Sequence, residues 1–128
     1  MTFKLLLVLH AALAVALLGA SVHNAVLGAR TLFGLPVRNK LVRLYPKLAL
    51  VLGLITTLAG AIVYPEFRVE VRAAYLDQAL PWASAAFEVK EHLVLLALAL
   101  LGAQVAWGAE RSRPWGASAA VLSGAFFV

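Results

Sequence analysis

Cysteine is absent from the 128 residues, methionine occurs once, and only six residues are acidic. Without thiols the chain can form no disulfide, hold no thiolate-ligated iron–sulfur cluster and offer no cysteine nucleophile. Charge is the second scarcity. Charged residues make up 13% of the chain, against about 25% in soluble domains, while 63% of residues are hydrophobic. A soluble domain of this size cannot hide so much apolar surface, so the excess faces lipid or a partner. Catalytic signatures are also missing: there is no phosphate-binding glycine loop, no HExxH, no GxSxG and no Ser/His/Asp grouping. No catalytic residue is therefore assigned, and the chain reads as more a non-enzymatic protein than an enzyme.

Long uncharged runs are what it does have. Leu5–Ala29 carries no acidic or basic residue over 25 positions, and Leu48–Tyr64 and Leu93–Ala109 carry none over 17 each. About 20 mostly apolar residues cross a bilayer core as a helix. The pattern predicts an all-α polytopic membrane protein: one antiparallel four-helix transmembrane domain over residues 1–128, with spans at about 3–29, 45–64, 83–109 and 115–128. Pro36, Pro46, Pro65, Pro81 and Pro114 fall at or outside span ends, where a missing backbone donor does least harm. Tyr45, Tyr64, Trp82, Trp107 and Trp115 lie near the same boundaries, as interfacial aromatics do.

Charge asymmetry sets the orientation. Arg30, Arg38, Lys40, Arg43 and Lys47 cluster between the first two spans, and Arg111 and Arg113 between the last two. Glu66, Glu70, Asp77, Glu88 and Glu91 gather on the opposite side, leaving Glu110 alone among the basic loops. Cytoplasmic loops are the basic ones. Both termini are thus expected on the outer side of the cell's inner (cytoplasmic) membrane. Basic loops of this kind account for the net charge of +5 without nucleic acid. A cleaved signal peptide is a weaker reading of the first run, because its apolar core would be only about 7–15 residues long and cleavage would leave the basic loop outside.

Two segments carry narrower expectations. FRVEVR, residues 67–72, alternates apolar and charged residues and reads as a short strand or extended segment, with helix resuming after Val71. A helix would set Glu66 against Glu70 and Arg68 against Arg72, both repulsive at i,i+4. The fourth span is short, and its Gly116, Ala120 and Gly124 form a small-residue stripe. Such stripes let helix backbones approach closely, either within the bundle or toward a membrane-protein partner or a second copy of the chain.

Polar residues inside the spans fall into two layers. Counting from the inner ends at 1.5 Å per residue, His10 lies about 30 Å deep, His92 about 27 Å and Tyr64 about 26 Å. Glu88 and Glu91 stand at or above that level on the helix of His92, and Glu88 and His92 share one face that continues through Leu95, Ala99, Gly102 and Ala106. That face is expected to point into the bundle, with Lys90 turned to the headgroups. Nearer the cytoplasm, His23, Asn24, Gln104 and Ser118 form an inner layer, with His23 on a helix-facing stripe of Ala12, Ala16 and Gly19. The bland reading of both layers is interfacial charge and interhelical hydrogen bonding. The sharper alternatives at the outer layer are a haem b held between His10 and His92, a metal bound by His10, Glu88 and His92, or a proton or quinone site using Glu88, His92 and Tyr64. A level pair of imidazoles from two helices is what haem in a four-helix bundle requires. The function expected from the whole is a small inner-membrane accessory or interaction subunit with a polar His/Glu layer near its outer face.

Overall fold

A computed structural model describes residues 2–107 and 114–127, all-helical apart from short turns, with no strand among them. Helix α1 spans Thr2–Leu32 and α2 spans Asn39–Phe67; a π-helical segment, Arg68–Leu76, and a three-residue turn, α3 (Asp77–Ala79), lead to α4 (Pro81–Ala106) and α5 (Pro114–Phe127). Three helical stretches are long and apolar enough to cross a membrane: Phe3–Leu32, Asn39–Ala79 and Pro81–Ala106. The 14 residues of α5 reach only about 21 Å at 1.5 Å each. Glu110, Arg111 and Arg113, which the expected sidedness of the last two helices uses, lie outside the described residues.

The helices run round the bundle in the order α1, α2, α4, α5, so α1 and α4 stand diagonally opposed. Each turn has a local cause. Helix α1 ends where Gly34 takes φ +68°; the N–H of Gly34 bonds the carbonyl of Thr31 at 3.1 Å and that of Leu35 the carbonyl of Arg30 at 2.8 Å. This pairing satisfies orphan carbonyls at a left-handed C-terminal residue, and Pro36 then prevents the helix from resuming. Pro81 opens α4 at its first turn, where its missing N–H costs nothing. The far ends of α4 and α5 are tied by Trp107 against Trp115, edge to face with ring centres 5.9 Å apart.

Two expectations need correcting here. Pro46 and Pro65 lie inside α2, which extends beyond the apolar span at both ends. Residues 67–72 are helical, and from Arg68 they widen into π geometry. Pro65 withholds the amide that would bond back to residue 61 and so loosens the ladder. A wider turn, closed by i→i+5 hydrogen bonds, brings residues five apart within reach of one another. Arg72 accordingly meets Asp77, with Nε 3.5 Å from Oδ1, and Gln78 Nε2 donates to the Ala73 carbonyl at 3.3 Å. The positive charge on Arg72 that argued against a helix here is met by two carboxylates, those of Asp77 and Glu88.

The core is built mainly from small residues. Leu17, Ala20, Ala49 and Leu101 form its centre, with Tyr45, Leu50, Leu52 and Phe127 packed against it. Where lipid replaces water on the outer faces, helices gain little from hiding apolar surface from one another, and close van der Waals packing carries the association. The α1–α5 seam shows how close that packing is. A methyl group added at Gly28 would lie 2.6 Å from the Ala120 Cβ, and one added at Gly124 would lie 2.6 Å from the Ala25 Cβ.

Candidate functional site

At the end of the bundle where the chain passes from α2 to α4, the π-helical segment contacts α4 and places Arg72 between two carboxylates. Its Nη2 donates to Glu88 Oε1 in a close ion-paired hydrogen bond, and its Nε faces Asp77. Asp77 Oδ1 also accepts a 2.6 Å hydrogen bond from Ser84 Oγ on α4. Phe67 packs on Phe87 with ring centres 5.1 Å apart, closing the same corner with apolar contact. The Arg72 guanidinium is held in its charged form above its ordinary range. The Glu88 hydrogen bond is the largest cause; burial opposes it, and the charges of Glu88 and Asp77 and a hydrogen bond to Tyr64 add to it. Of the residues expected at the outer layer, Glu88 is therefore held here, by an arginine. The cap is a cross-link of one cation, two anions and the Ser84 hydroxyl.

The histidines go elsewhere. His10 is partly buried, and its Nδ1–H donates to the Thr56 carbonyl of α2 at 3.1 Å. Its ring lies flat enough on α2 that a methyl group at Gly60 would come 3.1 Å from Cε1, so glycine is what admits it. The Thr56 hydroxyl is buried without a hydrogen-bond partner. His92 is exposed, and its Nδ1–H donates to the carbonyl of Glu88, one turn back on α4, at 2.7 Å. Glu91 and Lys90 are exposed beside it. The expected inward face of α4 is the outward one: Leu95 is 62% exposed and Leu101 0%, and the buried residues of the helix are Ser84, Ala97, Leu101 and Gln104. His10 and His92 thus sit on diagonal helices with one ring on α2 and the other outside. No group of three or more His, Asp or Glu side chains is assembled for a metal among the described residues.

The inner layer explains why α4 is rotated this way. Asn24 Nδ2 of α1 donates to Gln104 Oε1 of α4 at 3.1 Å, and Gln104 Nε2 donates to the Gly116 carbonyl of α5 at 2.9 Å. This buried amide chain crosses the diagonal and links three helices. It lines a small cavity with Leu27, Gly28, Thr31 and Val42. His23, expected in this layer, is exposed; its Nδ1–H bonds the Gly19 carbonyl at 2.8 Å and its ring stacks on Tyr45, 5.0 Å between centres and 9° from parallel. His23 thus meets a neighbouring helix through Tyr45, whereas its companions Ala12, Ala16 and Gly19 are exposed. Ser118 bonds the Pro114 carbonyl of its own helix. Gly116, Ala120 and Gly124 are buried, with Ala120 and Gly124 set against α1 at Gly28 and Ala25.

Arg72, Asp77 and Ser84 are the site residues that the sequence did not single out. The Arg72–Asp77 spacing of five carries the signal, but it is visible only once the segment is taken as π-helical. Comparison of the chain with protein-family models, with curated proteins and with solved structures finds no match to any of them.

Proposed function

We propose that the chain is a multi-pass protein of the inner membrane with both termini outside, acting as a non-enzymatic accessory subunit that meets a membrane partner through its Arg72-centred cap. The observation that carries this reading is the division of the surface. Leu5, Val8, Val15, Leu58, Ile62 and Leu95 leave the flanks of three helices apolar and exposed, whereas both ion pairs among the described residues are at the cap. A helical segment tied down by ion pairs offers a fixed surface to a partner, and the exposed Glu66, Glu70, Glu91 and His92 around it supply polar contacts. Haem and metal readings receive no support from the paths taken by His10 and His92.

Photo-crosslinkers placed at Glu91 and at Leu58 in cells test the proposal. One recurrent protein adduct from Glu91, with only lipid adducts from Leu58, is expected; lipid adducts alone from both positions would remove the accessory role. A reporter fused after Val128 is expected to be active outside the membrane, and cytoplasmic activity would reverse the topology. An absorption spectrum after haem-supplemented expression provides the check on redox function, since a Soret band lost in both His10→Ala and His92→Ala would replace this proposal with a haem protein.

A further inference from the structure

Helix α2 begins with three cations on one face. Lys40, Arg43 and Lys47 are spaced i, i+3 and i+7, all are exposed, and such positions fall on one side of a helix. None has a carboxylate within ion-pair distance among the described residues, where both salt bridges belong to Arg72. Their placement is electrostatically unfavourable as it stands. Positive side chains at a helix N-terminus oppose the macrodipole, the first turn holds no acidic residue, and no side chain caps it. Arg38, the residue before the helix, is exposed as well.

The same face continues down the helix as apolar surface. Val51, Leu54 and Leu58 follow Lys47 at helical spacing and are 53%, 48% and 66% exposed. From Lys47 to Leu58 the rise is about 16 Å, close to half of the ~30 Å hydrocarbon core. Cations at one end and an apolar track as long as one leaflet at the other match one kind of molecule. We infer that this face of α2 binds an anionic glycerophospholipid of the inner leaflet, its phosphate against Lys40, Arg43 and Lys47 and an acyl chain along Val51, Leu54 and Leu58. This rests on the membrane topology proposed above.

The test uses the full chain purified in mild detergent, with retained lipid counted by native mass spectrometry after mixing with phosphatidylglycerol and phosphatidylcholine of equal chain length. Wild type is expected to retain one phosphatidylglycerol in preference. The triple variant Lys40→Gln/Arg43→Gln/Lys47→Gln should bind it on the order of a hundredfold more weakly, taking about a fivefold step for each surface cation. Lys40→Arg with Lys47→Arg should keep wild-type retention, and so should Lys4→Gln/Lys90→Gln at the opposite end. Equal retention of the two lipids by wild type, or undiminished preference in the triple variant, would overturn the inference. Displacement by soluble glycerol phosphate at the same concentration as the lipid would overturn the acyl track. Alkaline extraction of membranes separates this from failure of the topology: a protein that washes off is not membrane-integral, whatever it binds.

Discussion

Replacing Gly124 with alanine puts the packing account at risk in one step. The added methyl would stand 2.6 Å from the Ala25 Cβ and 3.1 Å from the Ser21 carbonyl oxygen, where carbon atoms prefer about 3.5–4.0 Å. About 1 Å must be found, and both obstacles are fixed to the backbone of α1, so no side chain can rotate away. Helix α5 would have to separate from α1 along a seam that also holds Gly28. Overpacking of this kind costs about 1–3 kcal/mol, partly offset by alanine's better helix propensity, up to about 1 kcal/mol. The net expectation is about 1–2 kcal/mol of lost stability, measured by sodium dodecyl sulfate titration of protein in dodecyl maltoside micelles with the tryptophans as reporter. Gly19→Ala on α1, where nothing lies within 4 Å, should lose no stability and gain up to about 1 kcal/mol from the same propensity. Adding Ala25→Gly to Gly124→Ala removes the worst contact and should return at least about half of the loss as a coupling energy. If Gly124→Ala unfolds with wild type, or Ala25→Gly restores nothing, α5 does not pack on α1 in this way.

Gly53→Ala is the matched contrast: its nearest obstacle, at 2.6 Å, is a terminal methyl of Leu98, which can swing aside, so the same titration should show a smaller loss than for Gly124→Ala. Gln104→Leu strands Asn24 and the Gly116 carbonyl; with interhelical hydrogen bonds in membranes worth about 0.6 kcal/mol each, a loss of about 1–2 kcal/mol is expected. Adding Asn24→Leu should then cost little more, and full additivity would show that the two amides are not coupled. Arg72→Gln should speed amide hydrogen exchange over residues 72–84 and leave α1 unchanged, whereas unchanged exchange at the cap would deny Arg72 its role as hub. Because the Arg72 value is raised, its share of cap stability is present below the unfolded value and lost only as pH rises through the still higher folded one. Intrinsic-rate-corrected exchange at the cap should therefore hold steady from about pH 6 to pH 10 as far as Arg72 is concerned.

Long uncharged runs made the helices legible, because a bilayer sets both the length and the composition of what crosses it. Helices α1 and α4, at Thr2–Leu32 and Pro81–Ala106, contain most of the first and third of these runs. Helix α2 extends past the second at both ends, since proline marks the edge of an apolar run without having to end the helix, as Pro46 and Pro65 show. The cap was hidden for a different reason. Alternation in FRVEVR is a period-two signal only if the backbone is extended, and i,i+4 repulsion excludes only the α pitch. The segment is helical all the same, with a proline upstream and the Arg72 charge paired to Glu88, 16 residues further along. Pairings of that range leave no periodic trace.

Rotation of α4 was misjudged for a reason that bears on function. A stripe of small residues and a charged end were expected to mark the inward face, yet Gly102 has nothing within 4 Å of a would-be side chain and His92 is exposed. One buried glutamine outweighs the stripe. A buried amide must find partners inside the bundle, and Gln104 finds Asn24 and the Gly116 carbonyl with this face turned in. Small residues can face lipid at little cost, whereas an unpaired amide cannot, so the polar side chain sets the angle. The consequence is that Ala99, Gly102 and Ala106 form an open, shallow face directly below the exposed His92 and Glu91. A partner gripping the cap would therefore have a groove beneath it in which to lay a helix, and crosslinks from Glu91 should continue down Ala99 at helical spacing before giving way to lipid.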